Sequence, residues 1–276
     1  MRYVIQLIRW GLKFSDKSVE DRVSAYSAQS AFFIIMGFIP FLMLLLTMLQ
    51  YTPMTEEDLM SLLLGFFPEG FHTYLERLVE SVYTKSTALI SGTAIAAVWA
   101  CSKAMMSISN GLNTIYDTHV KKNYFIARIR AAFYILLLLL SLILAIGLFV
   151  FGNLLHDYLL HYIPWLRAVS WLIISVRTIG TILILSMVFC AMYSLLPYER
   201  QDFFSQIPGA VATAFAWSIF SYGFSIYIEY SKGMSAIYGS LTTVVMVMLW
   251  LYFCMWLLFM GAEINCYLDE PEKYRG

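Results

Sequence analysis

Apolar positions dominate this chain in long blocks, and the polar ones cluster between them. Six blocks are long enough to cross about 30 Å of hydrocarbon, which takes about 20 mostly apolar residues in a helix. They cover roughly residues 30–51, 88–109, 131–152, 169–196, 209–228 and 239–266. No block alternates with period 2, so a barrel is excluded. Backbone N–H and C=O groups cannot stay unpaired in lipid, so each block is predicted to be a helix. The sequence therefore predicts an all-α, polytopic membrane protein, with residues 1–276 forming a single six-helix domain.

The polar stretches refine the picture. Before the first block, Val4, Ile5, Ile8, Trp10 and Leu12 mix with Arg2, Arg9 and Lys13, a pattern of a helix lying in the interface and too interrupted for a signal peptide. Ser18-Val19-Glu20-Asp21 reads as a capping box leading into the first span. Between the first two blocks, Thr55-Glu56-Glu57-Asp58 reads as a second capping box. It opens a short helix with Leu59, Leu62, Leu63 and Phe66 on one face, broken at Phe67-Pro68. Phe71, Tyr74, Leu75, Leu78 and Val82 mark another amphipathic helix, so this loop is expected to be helical.

Composition agrees: 60% of the 276 residues are hydrophobic and 13% are charged. A soluble domain carries about 25% charged residues, too many for this chain to match. Net charge is zero, which gives no electrostatic footprint for nucleic acid. The distribution of cations is uneven, however. Arg2, Arg9, Lys13, Lys17, Arg22, Lys121, Lys122, Arg128, Arg130, Arg200, Lys273 and Arg275 fall on one side of the six blocks. Only Arg77, Lys85, Arg167 and Lys232 fall on the other. Positive charge concentrates on the cytoplasmic side, so both termini are expected there.

Ionisable or amide side chains inside apolar blocks are costly and mark candidate sites. Lys103 and Glu263 lie at comparable depth near the cytoplasmic side and could pair, with Gln29, Asn110 and Asn113 in the same layer. Arg177 and Glu229 form a second candidate pair in the outer half. Pro40 removes a backbone hydrogen bond within the first block and is a hinge candidate. Gly92, Ala96, Ala100 and Ala104 form a small-residue stripe, as do Ala210, Ala214 and Ser218. Such stripes let helices approach closely.

Catalytic and metal-binding patterns are absent from the sequence. His72, His119, His156 and His161 sit in or beside loops, and no HExxH, GxSxG or Walker motif occurs. Cys101, Cys190, Cys254 and Cys266 lie in or at the ends of apolar blocks without a CxxC pair, which reads as packing. No cofactor and no enzymatic role are expected.

Several runs carry a resemblance. Ala25-Tyr26-Ser27-Ala28-Gln29-Ser30-Ala31-Phe32-Phe33 leading to Pro40, and Trp99 through Asn113 to Tyr116, resemble signatures of the YihY/virulence factor BrkB family. So do Arg128 and Arg130 opening the third span, Leu196-Pro197 and Gly209. Tyr238-Gly239-Ser240-Leu241, Trp250-Leu251-Tyr252 and Gly261-Ala262-Glu263 complete the match. The resemblance implies a six-helix bacterial inner-membrane protein, and some members have carried a ribonuclease BN label. The lack of a metal-ligand cluster or a basic soluble surface here argues against carrying that label over. The expected role is transport or lipid translocation; the alternative is a non-catalytic scaffold in envelope homeostasis. Expected partners are membrane lipids, with a homo-oligomer or envelope proteins as further candidates.

Overall fold

The computed structural model describes residues 11, 13–49, 55–66, 76, 77, 79, 80, 87–118, 123–140, 143, 170–230 and 240–269. They are helical apart from short turns and connections, with no strand among the described residues. Six helices have defined limits: α1 (Val23–Leu49), α2 (Glu56–Phe66), α3 (Thr87–Ile115), α4 (Ser170–Leu195), α5 (Ile207–Tyr230) and α6 (Ser240–Asp269). Residues 13–20 and 124–140 are also helical.

Among the described residues, three stretches are long and apolar enough to span a membrane: Val23–Met48, Ile207–Ile228 and Val244–Asp269. Six such helices were expected. α3 carries Ser102, Lys103, Ser107, Ser109, Asn110 and Asn113 in its second half, and the side chains of residues 87–96 in α3 and 170–178 in α4 lie outside the described residues. The predicted 131–152 block is described only as far as residue 140, and residue 143 beyond it. Large apolar side chains cover the outside of α4 and α5, including Leu183, Ile184, Met187, Phe215, Ile219 and Tyr222. Such a surface suits lipid as its solvent.

The start signals resolve differently at the two predicted caps. α2 begins where the sequence places it, with Leu59 N–H bonded to Thr55 C=O at 3.1 Å. Ser18 does not cap α1. Residues 13–20 are already helical, and the Ser18 hydroxyl bonds back to Ser15 C=O at 2.9 Å. The break falls at Asp21–Arg22, where Arg22 adopts φ 55°, and α1 starts at Val23. Pro40 lies inside α1, which is helical on both sides of it.

The chain divides into two compact units. The first contains residues 1–32, 106–122 and 165–276; the second contains 33–105 and 123–164. α1 and α3 each contribute to both.

In the second unit, Leu44, Ala97, Cys101, Ile135 and Leu139 form a buried cluster with Phe41, Leu45, Val98 and Met105 against it. The Cys101 thiol donates to Gly37 C=O at 3.3 Å, in keeping with a packing role. Arg128 is buried here. Its guanidinium lies 3.9 Å from the Trp99 ring centroid and donates to Trp99 C=O at 2.6 Å and Tyr124 Oη at 2.8 Å.

In the first unit, α5 packs against both α4 and α6. Gly209 on α5 and Gly261 on α6 are pressed together. A Cβ on Gly209 would strike the Gly261 carbonyl oxygen, and one on Gly261 would strike the Thr213 hydroxyl. This is the close approach that small residues permit. Ala210 and Ala214 of the predicted stripe are wholly buried, and Ser218 bonds to Ala214 C=O. Farther along, Phe189, Trp217 and Trp250 form a chain of tilted and edge-on rings at 5.3 and 6.1 Å.

Candidate functional site

One end of the first unit has a polar interior. It is built where α3, α4 and α6 end, where α5 begins, and where the N-terminal segment turns into α1. Helix ends leave backbone groups without intrahelical partners, and buried ones must be satisfied from elsewhere. Much of the network does this. Ser109 Oγ donates to Leu196 C=O at 2.8 Å, just past the end of α4. Asn113 accepts the Tyr198 backbone N–H at 2.6 Å and the Thr118 hydroxyl at 2.8 Å on its carbonyl oxygen, and donates to Ser109 C=O at 2.6 Å.

α3 itself stops in a left-handed residue. Asp117 has φ 53°, with Asp117 N–H bonded to Thr114 C=O and Thr118 N–H bonded to Asn113 C=O. That pairing is a Schellman cap, with aspartate where glycine is usual.

Two amides join the start of α5 to the end of α6. Asn265 accepts the Gly209 N–H at 2.6 Å and donates to Gln206 Oε1 at 2.8 Å and to Gln206 C=O at 3.2 Å. Gln206 Oε1 also accepts the Tyr116 hydroxyl at 2.5 Å, drawing in the end of α3. Burial pushes the Tyr116 pKa well above its ordinary 10.0, so it remains a donor. Deeper in, the Tyr193 hydroxyl donates to Leu258 C=O at 2.7 Å and contacts the Thr213 hydroxyl at 2.8 Å, linking α4, α5 and α6.

Charge enters this interior at Glu263, which has 0% of its surface exposed. Its carboxyl lies beside that of Asp21, itself 5% exposed. Lys17 Nζ lies 3.0 Å from Asp21 Oδ1 and 3.4 Å from Glu20 Oε2. Burial opposes the charge on Lys17, but its bonds and attraction to Asp21 and Glu20 prevail, and its pKa rises above 10.5. Lys17 alone would lower the pKa of Asp21. It is raised instead, because burial outweighs the hydrogen bond from Lys17 and the contact with Glu263. Beside this cluster lies a polar cavity of about 410 Å³, lined by Lys17, Glu20, Asp21, Asn113, Thr114, Asp117 and Thr118.

The residues singled out from sequence fall in different places. Glu263 and Asn113 belong to this interior. Gln29 is in the same unit but exposed on α1. Lys103 belongs to the second unit, where it is exposed with its ammonium 5.7 Å from the Phe33 ring centroid. The side chains of Arg177, Glu229 and Ala96 lie outside the described residues, as do all four histidines. Sequence reasoning missed Asp21, Lys17 and Gln206 as site residues. The four-residue spacing of Lys17 and Asp21 was the available signal for the first two. Among the described residues, no three His, Cys, Asp or Glu side chains come together as metal ligands.

Similar proteins place the chain among membrane proteins. It is 28% identical over 256 residues to the ribonuclease-like protein YfkH of Bacillus subtilis (strain 168), covering 90% of each chain. It is 23% identical over 260 residues to a UPF0761 membrane protein of Cronobacter sakazakii (strain ATCC BAA-894), covering 93% of this chain and 87% of that one. A UPF0761 membrane protein of Vibrio vulnificus (strain YJ016) is 25% identical over 267 residues, covering 92% and 80%. No solved structure gives a significant match. The pattern of the family described as virulence factor BrkB matches residues 14–276, taking in every residue of the polar interior, and the chain belongs to that family.

Proposed function

We propose that this protein moves a small ion or a lipid headgroup across a bacterial plasma membrane, with the polar interior of the first unit as its contact site. The observation that carries this reading is Glu263. It is a wholly buried carboxylate near the end of an apolar helix, next to Asp21 and a polar cavity. Burying an ionised carboxylate costs several kcal/mol even after relaxation. A purely structural bundle reaches the same packing with an apolar side chain there, so a retained charge favours a functional role.

The reading uses six spans with both termini in the cytoplasm, following the cation asymmetry of the loops. The cavity then faces the cytoplasm, lined by Lys17 and three carboxylates. Lys103, Arg177 and Glu229 remain candidate contacts, and Pro40 a candidate hinge. The protein is not an enzyme in this reading, and the ribonuclease-like name of one relative is not carried over.

Purified protein in liposomes, offered a panel of monovalent ions and fluorescent lipid analogues, tests the proposal. Movement above empty liposomes, reduced at least tenfold by Glu263→Gln, is the expected result. No movement by demonstrably folded protein overturns it and leaves the scaffold alternative, which crosslinking in native membranes would expose as a stoichiometric partner.

A further inference from the structure

We propose that Asp21 and Glu263 form a proton-binding site, with one proton held between the two carboxyls and the adjoining cavity as its path to water. The inference goes beyond the transport reading and stands whether or not anything is carried.

Ionised carboxylates only accept hydrogen bonds. Two of them in contact repel, and neither offers the other a donor. One proton converts the same contact into a hydrogen bond between a donor and an acceptor, so a buried pair of neighbouring carboxyls does not ionise completely. The surroundings of Asp21 fit this. Oδ1 is occupied by the Lys17 ammonium at 3.0 Å. Oδ2 is buried, and no donor of the protein reaches it. A proton shared with Glu263 supplies that missing donor.

Charge points the same way. With one proton, Asp21 and Glu263 together carry a single negative charge, which Lys17 balances. Without it, the pair carries two, facing Glu20 from the same helical segment and Asp117 from the cap of α3 across the cavity. Asp21 is thus held near neutrality only in the protonated form of the pair. Burial of Asp21 raises its pKa and so favours a protonated carboxyl as well.

The proton leaves to water. Asp21 lines the cavity, and about 410 Å³ accommodates several waters at roughly 30 Å³ each. A metal ion suits the place less well. Among the described residues no third acidic or imidazole ligand joins the pair, and the Lys17 ammonium already occupies Asp21.

The test is infrared difference spectroscopy of the full-length protein in nanodiscs, following the protonated-carboxyl stretch as pH is varied. The wild type should show a protonated carboxyl at neutral pH that disappears on alkalinisation. In Glu263→Gln that signal should vanish at neutral pH, because Asp21 becomes an ordinary ion-paired carboxylate. Asp21→Asn should move the midpoint of the remaining signal by at least about one pH unit, a change of tenfold in proton affinity.

Absence of the signal from the wild type, or its persistence unchanged in Glu263→Gln, overturns the proposal. If Glu263→Gln does not fold, an unmoved midpoint in Asp21→Asn does so instead. The readout needs no flux. A normal carboxyl signal with no movement across liposomes rejects transport and keeps the proton site; the reverse result rejects the proton site alone.

Discussion

The side-chain carbonyl of Asn265 accepts the backbone N–H of Gly209 at 2.6 Å, which fastens the first turn of α5 to the last turns of α6. That N–H belongs to the turn of a helix whose amides have no intrahelical acceptor. Asn265 is 0% exposed, so no water replaces it. Asn265→Ala is expected to strand the Gly209 donor and the Gln206 acceptors, destabilising the protein by about 2–4 kcal/mol. Thermal unfolding in detergent checks this; an unchanged melting temperature rejects the account.

Gly261→Ala is expected to push α6 off α5, because the new methyl meets the Thr213 hydroxyl and the Tyr193 hydroxyl. Overpacking of this kind costs about 1–3 kcal/mol. Thr213→Ala in the same chain removes one obstacle and should recover part of the loss. A double-mutant cycle with no coupling between the two sites would contradict the geometry.

The contribution of Asp21 to stability should fall as pH rises from its ordinary 3.8 through the higher value it has in the folded protein. Burial places the Asp21 pKa above its ordinary 3.8, so the folded protein binds more protons than the unfolded chain between those two values. The stabilisation is complete below 3.8 and is lost as pH climbs through the folded value. Lys17, raised above 10.5, adds a change only at the alkaline end. Melting temperatures of the wild type and Asp21→Asn across this range provide the check, with the variant showing the flatter profile. Equal slopes count against it.

Arg128→Lys should destabilise the second unit by about 1–3 kcal/mol despite keeping the charge. A lysine cannot lie flat on the Trp99 ring while also donating to Trp99 C=O and Tyr124 Oη. Quenching of the Trp99 fluorescence is expected to change in parallel. A variant as stable as the wild type would show that the stack contributes little.

Hydropathy located the helices well and trimmed them where the site is. α1 begins at Val23 rather than near Ser30, and α3 runs to Ile115 rather than 109. The extra turns carry Ser27, Asn113 and Thr114, which an apolar window discards. They are helical because the protein supplies their partners: Ser27 bonds to Val23 C=O, and Thr114 to Tyr26 Oη. Glu263 and Asn113 were legible because polar side chains stand out in or beside apolar blocks. Asp21 was not, because its neighbours resemble a helix start and its burial depends on α6, more than 200 residues away in sequence. Gln206 was hidden in a connection for the same reason.

Synthesis order gives the Asn265 and Glu263 contacts a further meaning. The ribosome makes α6 after α1 to α5, and chains build from the N-terminus onward. Until that helix arrives, Gly209 N–H, Gln206, the Tyr193 hydroxyl and Asp21 each lack a partner that only α6 provides. The nascent protein therefore waits, half-assembled and with polar groups open, for the thirty residues of α6. A stop codon before residue 240 would leave a chain that inserts and never locks, a natural target for membrane proteases.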